Sequence, residues 1–182
     1  MRDYVSDVVK CKSNMIYIEL DENELVRIDT FVTQVVKAKE NEAHHIIDSG
    51  QEYKRFHTGL MGECAIEKLF GIHFIDWTIG NSNFYNTADM KAVGMNVGIK
   101  TVELNKYPII HKVAHRPELI CIKRTENTII LCGFASENVL NTYQDDSLIL
   151  SPHLRSRGTK TGFYGFDHLI KVTNLNDLKA LL

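Results

Sequence analysis

Two apolar runs in the middle of the chain constrain its fold more than any other feature. They cover Glu118 to Arg124 and Thr128 to Phe134, and a short polar turn, Thr125 to Asn127, separates them. Runs of this length and spacing are typical of two strands joined as a hairpin. Because both runs are almost continuously apolar, both faces of the hairpin are predicted to be buried in a central sheet.

The segment before this hairpin is predicted to provide a strand and a long helix. Met15 to Leu20 is predicted to be a short strand, and Asp21 and Glu24 have the spacing of a capping box that begins a helix. Apolar residues then recur every three or four positions, which gives one apolar stripe on a helix that Gly50 would end. We therefore predict an α/β (α+β) fold, with a central mixed four- to five-stranded sheet flanked by helices.

A second pair of short strands is predicted between residues 84 and 103. The first arm, Phe84 to Lys91, carries Asp89, a turn follows at Gly94, and the second arm runs from Val97 to Glu103. Lys100 on the second arm would then lie beside Asp89. A carboxylate next to an ammonium group can hold a hard divalent cation and orient an attacking water, although a solvated Asp–Lys pair across two strands is the alternative.

This arrangement resembles the PD-(D/E)xK nuclease superfamily, whose members share the restriction-endonuclease-like fold. The family signature is an Asp at the end of one strand, a turn, and then an acidic residue, any residue and Lys on the next strand. Ala88-Asp89 corresponds to the Pro-Asp of that signature, and Gly98-Ile99-Lys100-Thr101 corresponds to its (D/E)-x-K-(T/S) segment. The chain departs from the pattern at Gly98, where the family has its second acidic residue.

An upstream helix extends the resemblance, which covers about residues 58 to 143. Between His57 and Gly71, Glu63 lies in a G-E-x-A pattern that resembles the first helix of the superfamily, where a third acidic residue lies beside the metal. Glu67 lies four positions later and shares a helix face with Glu63. A surface pair with a lysine is the expected role of Glu67.

The resemblance implies a divalent-metal-dependent nuclease that hydrolyses phosphodiester bonds in DNA. Asp89 would bind Mg²⁺ or Mn²⁺, the backbone carbonyl of Ile99 would complete part of the metal shell, and Glu63 would act on the metal directly or through water. Lys100 would position the nucleophilic water. Because restriction-like enzymes that cut both strands commonly act as dimers, the resemblance also implies a homodimer.

Gly98 leaves open whether the protein is an active nuclease. Losing the second carboxylate lowers the affinity of the site for a hard dication unless another acid replaces it. Glu63 can do so without distortion, whereas Glu103 would lie on the wrong face of its strand unless the strand bulges or ends there. A catalytically impaired nuclease-fold protein that binds nucleic acid or protein is therefore the alternative function, and an oligomerising structural protein is a third.

Three basic segments are candidates for contacts with the phosphate backbone of DNA. One precedes the Glu63 helix, one lies in an irregular segment over residues 106–117, and one is a flexible loop over residues 155–162. Each is also explained as an ordinary solvated surface segment. The candidate residues are Lys54, Arg55, Lys112, Arg116, Arg155, Arg157 and Lys160.

Composition indicates one domain of 182 residues, of which 44% are hydrophobic and 24% charged. We divide it into an N-terminal strand and helix (1–50), a nuclease-like core (58–143) and a C-terminal basic loop, strand and helix (144–182). In that last part, His168 to Thr173 is predicted to be a strand and Asn174 to cap a terminal helix.

The net charge of −2 and the pI near 6.4 give no overall attraction to nucleic acid. DNA binding must therefore depend on a local basic surface. The four cysteines lie far apart without a C-x-x-C pair, and the chain shows no signal segment or membrane span. The cysteines are predicted to be reduced thiols in a cytoplasmic protein that has no membrane partner.

Overall fold

The structure is a computed structural model that describes residues 2–39, 49–79 and 87–182. Its strands are β1 (Ile16–Glu19), β2 (Gly98–Glu103), β3 (Ile109–His111), β4 (Glu118–Lys123), β5 (Thr128–Ala135), β6 (Gln144–Asp145) and β7 (Lys160–Phe163). Its α-helices are α1 (Tyr4–Asp7), α2 (Glu22–Lys39), α3 (Ser49–Phe70), α4 (Glu137–Thr142), α5 (Pro152–Ser156) and α6 (Leu175–Lys179). Short 3-10 helices cover Val9–Asn14, Asp89–Val93, Asp146–Leu148 and Phe166–His168.

The main sheet has four strands in the order β1-β5-β4-β2. The β4–β5 and β1–β5 pairs are antiparallel, whereas β2 runs parallel to β4, so the sheet is mixed. This confirms the predicted α+β fold with a mixed four-stranded sheet flanked by helices. A second sheet, β3-β7-β6, is antiparallel throughout.

The predicted central hairpin is confirmed as β4 and β5, and both of its faces are buried. Every residue of β5 is buried. Because successive side chains on a strand point to opposite faces, Leu119 and Leu131 pack in the core cluster that contains α2 and α3, while Ile120 and Ile130 pack against the other cluster, which contains Phe163. The apolar runs are continuous because each strand contributes to two cores.

The predicted capping box begins α2. Asp21 Oδ1 accepts a hydrogen bond from the Glu24 backbone N–H at 3.0 Å, and Glu24 Oε2 accepts one from the Asp21 N–H at 2.7 Å. Both bonds satisfy backbone donors that have no partner within the helix. The buried stripe of α2 includes Ile28, Val32 and Val36, as its apolar spacing predicts.

Helix α3 begins earlier than predicted. It starts at Ser49, so Gly50 lies inside its first turn instead of ending the preceding helix. The segment from Lys54 to His57, predicted to be a connector, is also helical. The reason is that α3 packs against both α2 and the sheet, and tertiary packing extends a helix beyond the turns that its sequence favours.

The prediction that the first arm of the 84–103 pair is a strand is wrong. Residues 84–86 lie outside the described residues, and Asp89–Val93 forms a 3-10 helix that ends at Gly94, whose φ of 79° is left-handed. The expected partner strand is replaced by β4, which pairs with β2 in parallel. The Gly98 N–H continues this ladder by donating to the Pro117 carbonyl at 3.0 Å.

Two basic segments of the C-terminal half differ from their predictions. The segment 106–117 is not irregular throughout, because it contains β3. The stretch 155–162 is not one flexible loop: Arg155 lies in α5 and Lys160 begins β7. The alternation of polar and apolar residues is too short there to reveal a strand whose partner, β3, lies far away in sequence.

The predicted last strand, 168–173, is reduced to one antiparallel bridge between Phe134 and Ile170. The last turn of the 3-10 helix over Phe166–His168 occupies the start of this segment. The terminal helix is confirmed, since the Asn174 side chain accepts hydrogen bonds from the N–H groups of Asn176 and Asp177.

All four cysteines are free thiols, as predicted. Cys64, Cys121 and Cys132 are buried and pack as apolar side chains. Over the described ranges, none of the helices combines the length and the apolar character that crossing a membrane requires.

Gly62 allows α3 to approach β2 closely. A Cβ atom at this position would lie 1.7 Å from Thr101 Oγ1 and 2.9 Å from Thr101 Cβ. Rotation of the threonine can move its hydroxyl but not its Cβ, so the helix can lie this close only if residue 62 has no side chain. This approach brings Glu63, the next residue, to the edge of the sheet.

We expect Gly62→Ala to lower the free energy of unfolding by about 1–3 kcal/mol, because the added methyl group overpacks this contact. Gly59→Ala is the matched control, since a Cβ at Gly59 would meet no atom of the described residues within 4 Å. It should be neutral or stabilising by up to about 1 kcal/mol, as alanine favours the helix. Urea unfolding measures both, and equal effects of the two substitutions would contradict the close contact.

Candidate active site

Asp89 lies beside the first residues of β2, but it is not on a neighbouring strand as predicted. It is the first residue of the 3-10 helix, and its Oδ2 accepts a hydrogen bond from the Ile99 backbone N–H at 2.6 Å. The N–H and carbonyl of one strand residue point to the same side. Since Gly98 faces β4, Ile99 faces the open edge of β2, and its carbonyl is directed toward the side where Asp89 lies.

Lys100 lies on the same face of β2 as Gly98. Burial lowers the pKa of its ammonium group, while the negative charges of Glu118 and Asp89 oppose that shift. The structure therefore brings Asp89 and Lys100 together, as the sequence pattern predicts. It adds a carboxylate, Glu118, that the pattern does not contain.

Glu118 stands beside the position where the resembled family has its second acid. The parallel ladder pairs Gly98 with Glu118, and paired residues of a parallel ladder point to the same face. A Cβ built on Gly98 would lie 3.3 Å from Glu118 Cγ and 3.5 Å from its Oε1. The side chain that β2 lacks at Gly98 is thus replaced by one from the adjacent strand.

The Glu118 carboxylate is buried and incompletely satisfied. Its Oε2 has no hydrogen-bond partner among the described residues. Burial raises the pKa of Glu118, the charges of Lys100 and Arg116 lower it, and the charge of Asp89 raises it again. An acidic first residue on an otherwise apolar strand was the signal available in the sequence, but only the strand pairing shows what it faces.

Arg116 occupies the remaining space beside Gly98. Its Nε lies 2.9 Å from the position of a Cβ on Gly98, which is closer than a real Cβ atom approaches another atom. A larger residue at position 98 would therefore require the Arg116 side chain to shift. An acidic side chain restored at Gly98 would have to displace one of them.

Glu63 approaches Asp89 from α3. Burial is the main cause that raises the pKa of Glu63 to about 8, and the charge of Asp89 followed by that of Glu67 adds to it. Burial also raises the pKa of Asp89, whereas its hydrogen bond from Ile99 and the charge of Arg116 lower it. Asp89 thus lies within electrostatic range of both Glu63 and Glu118.

The Asp89, Glu63 and Glu118 carboxylates are the groups at this site that could hold a Mg²⁺ ion together with part of its water shell. Within residues 2–39, 49–79 and 87–182, no group of three or more His, Cys, Asp or Glu side chains lies close enough to enclose a metal ion. Mg²⁺, however, is commonly held by one or two carboxylates together with water. The mutual repulsion of Asp89 with its two acidic neighbours, and the unpartnered Oε2 of Glu118, are both relieved by a dication.

A cluster of basic side chains borders the site on the side of the second sheet. Lys160 Nζ lies 2.7 Å from His111 Nε2, and the rings of His111 and His115 meet edge to face at 5.1 Å. Burial and the charges of Lys100 and Arg116 lower the pKa of Lys160 to about 8, while the charge of Glu118 opposes that shift. Burial and the charge of Lys160 lower the pKa of His111, which suits a neutral ring that accepts the lysine hydrogen bond.

Four of the other residues predicted to contact phosphate are paired with protein groups. Their partners are Glu103 for Lys54 at 2.8 Å, Glu52 for Arg55 at 3.4 Å, Asp146 for Lys112 at 2.6 Å, and the Ile149 carbonyl for Arg155 at 2.5 Å. Arg157 is exposed and its charge contributes to the lowered pKa of Lys160. Of the seven candidates, the structure brings Arg116 and Lys160 next to Lys100 and Glu118.

Two acidic residues have other partners. Glu103 lies at the far end of β2, where Lys106 and Lys54 pair with it, and these hydrogen bonds lower its pKa despite partial burial. Glu67 does not pair with a lysine at the surface, which corrects that prediction. Its Oε1 accepts hydrogen bonds from the backbone N–H groups of Phe74 and Ile75 at 2.5 and 2.7 Å.

Comparison with known protein families, curated proteins and solved structures gave no match for this chain.

Because the pKa of Glu63 is raised, we expect the free energy of unfolding of the metal-free protein to depend on pH. The unfolded chain releases this proton near pH 4.5, whereas the folded protein keeps it up to about pH 8. Between these values the folded state binds more protons, so the free energy of unfolding falls as the pH rises. Glu63→Gln removes this contribution and should gain at least about 1 kcal/mol relative to the unmodified protein between pH 5 and pH 8.

Urea unfolding in EDTA at several pH values measures this gain. Glu103→Gln is the control, because the pKa of Glu103 is lowered and its loss adds no such gain in this pH range. Parallel stability curves for the unmodified protein and Glu63→Gln would show that Glu63 does not hold its proton in the folded state.

Proposed function

We propose that this protein is a divalent-metal-dependent nuclease that hydrolyses phosphodiester bonds of DNA, with an active site of the restriction-endonuclease-like kind. The observation that carries the proposal is the pairing of Gly98 with Glu118 in the parallel ladder of β2 and β4. This pairing supplies a second carboxylate on the face of β2 that carries Lys100. The glycine at position 98 therefore does not leave the site without a second acidic group. The proposal includes a cytoplasmic location, because the four cysteines are unpaired thiols.

Three groups at the start of β2 would hold Mg²⁺ or Mn²⁺. They are the Asp89 and Glu118 carboxylates and the carbonyl of Ile99, with Glu63 acting on the ion through water. The ion, when bound, neutralises charge on the phosphate and lowers the pKa of a bound water. Lys100 would orient the water that attacks, since its buried ammonium group lies within electrostatic range of both the Glu118 and the Asp89 carboxylates.

The reaction is a hydrolysis of one P–O ester bond. A water oxygen attacks phosphorus, its proton passes to the Glu118 carboxylate, and the opposite P–O bond breaks. The leaving oxygen takes a proton from solvent, which gives a phosphomonoester and a hydroxyl group. Burial raises the pKa of the Glu118 carboxyl, which favours its role as the proton acceptor.

The basic cluster provides the local attraction that the net charge does not. Arg116 and Lys160 lie within electrostatic range of each other and of Lys100, and a phosphate group would offset their mutual repulsion. A dimer of two such sites would cut both strands of a duplex.

One observation favours a second candidate, a nuclease-fold protein that binds nucleic acid without cutting it. The Arg116 guanidinium occupies the space beside Gly98, so a positive group is already present where the resembled family directs an acid toward the metal. In that case the buried carboxylates would be neutralised by Arg116 and Lys100 and not by a metal ion.

Cleavage of supercoiled plasmid and linear DNA in Mg²⁺ or Mn²⁺ tests the proposal. We expect activity that EDTA abolishes, and losses on the order of 100-fold or more for Asp89→Ala, Lys100→Ala and Glu118→Gln. Glu103→Gln serves as the matched acidic control and should stay within about twofold, because it pairs with lysines away from the site. DNA binding without cleavage in either metal would support the second candidate.

Moving the carboxylate back to β2 tests the role of Glu118 directly. Gly98→Asp alone should impair cleavage, because its side chain meets Arg116 and Glu118. Glu118→Ala should be inactive, and the double variant Gly98→Asp/Glu118→Ala should recover about tenfold or more over Glu118→Ala, since the acid returns to the same space. A folded Glu118→Ala variant that cleaves DNA as fast as the unmodified protein would remove Glu118 from the mechanism.

A further inference from the structure

A cavity of about 400 Å³ opens directly beside Asp89 and Glu63. It is bordered by α2, by α3, by the connector that follows α3, and by the residues that lead into the 3-10 helix of Asp89. Its volume lies in the range of sites that receive small organic groups. The proposed hydrolysis of DNA uses its acidic end but leaves the rest of the cavity without a role.

Three aromatic side chains contribute to the walls of the cavity, together with aliphatic residues such as Val32 and Leu60. Phe31, Phe56 and Phe74 contribute from α2, α3 and the connector. Phe31 packs edge to face on Trp77 at 5.4 Å, and the connector at Phe74 is fixed by the two hydrogen bonds that Glu67 accepts. The aromatic surfaces are therefore held in place by contacts outside the cavity.

Acidic and basic side chains line the cavity together with the apolar ones. Glu63 and Asp89 supply oxygen atoms that can accept hydrogen bonds from amino groups. Lys39 and Arg55 are basic lining residues, and both lie over the Phe56 ring, with Lys39 Nζ 4.6 Å and the Arg55 guanidinium 5.0 Å from its centre. The Arg55 side chain is 62% exposed, and its charge helps to lower the pKa of Lys100, so these two cations lie within electrostatic range of each other.

Aromatic walls, hydrogen-bond acceptors and a cation suit a nucleobase joined to a phosphate. Base–aromatic stacking binds bases with little regard to sequence, and a guanidinium pairs with the phosphate that follows. A base paired and stacked within a duplex cannot enter a cavity, whereas an unpaired base enters without the cost of unstacking.

We propose that this cavity receives an unstacked nucleobase of the DNA strand being cut, so that the substrate is single-stranded or locally unpaired DNA. The inference rests on the proposed nuclease function and names the substrate class of the same site. The base would lie against the aromatic side chains of the cavity, its exocyclic amino group would donate to Glu63, and its phosphate would lie near Arg55 and Lys100.

Gly59 provides a way to fill the cavity without disturbing the fold. It lies in α3 at the cavity wall, and a Cβ added there would meet no atom within 4 Å in the part of the chain that the structure describes. Gly59→Leu therefore places an apolar side chain in open space where the base would lie. Phe56→Leu is a second variant that keeps apolar volume but removes a stacking surface, and Gln34→Leu on the exposed face of α2 is the matched control.

The experiment measures binding by fluorescence anisotropy in EDTA at low salt, which separates binding from metal-dependent cleavage. The probes are a single-stranded octanucleotide of mixed sequence, its blunt duplex, and an abasic chain of eight deoxyribose phosphates with equal charge. We expect the single strand to bind about tenfold more tightly than the abasic chain and the duplex. Gly59→Leu and Phe56→Leu should remove that advantage while leaving binding of the abasic chain unchanged, and Gln34→Leu should have no effect.

Equal binding of the single strand and the abasic chain would overturn the inference. So would an advantage that persists unchanged in Gly59→Leu and Phe56→Leu, provided that thermal unfolding shows both variants to be folded. If metal-dependent cleavage of DNA is nevertheless present and lost in Lys100→Ala, only the base-binding role fails. If no probe binds and no DNA is cut, the nuclease function fails together with it.

Discussion

The parallel pairing of β2 with β4 is the interaction on which the rest of the site depends. It places Gly98 opposite Glu118, leaves Lys100 on the same face, and turns the N–H of Ile99 toward the open edge where Asp89 accepts its hydrogen bond. A shift of one residue in this register would direct Glu118 to the opposite face of the sheet. The register is fixed because β4 is buried on both faces between two cores.

Burial gives these charged groups their unusual properties. Glu63, Asp89 and Glu118 have raised pKa values and Lys100 has a lowered one, and in each case loss of water contact is the largest cause. Such an arrangement costs folding free energy, and groups of this kind cluster at functional sites. A divalent cation and a phosphate group together would supply the charges that this edge of the sheet lacks, which is why we favour phosphodiester hydrolysis.

Predictions from the sequence succeeded where the pattern is local. The β4–β5 hairpin, the capping box at Asp21 and the cap at Asn174 each depend on residues a few positions apart, and all are present. The predictions that failed depend on distant partners. Gly50 is helical because α3 packs on α2 and the sheet, and Lys160 is in a strand because β3 lies beside it. Packing and strand pairing overrule local preference at both places.

The sequence by itself determined that a carboxylate and a lysine would meet at Asp89 and Lys100, since a short turn and one strand join them. It also showed that Gly98 lacks the acid that the resembled family has there. Only the tertiary structure decided that Glu118 lies beside Gly98, because residues paired across a parallel ladder can be any distance apart in the chain. The same reason applies to the aromatic cavity beside Glu63, whose walls come from segments that only packing brings together.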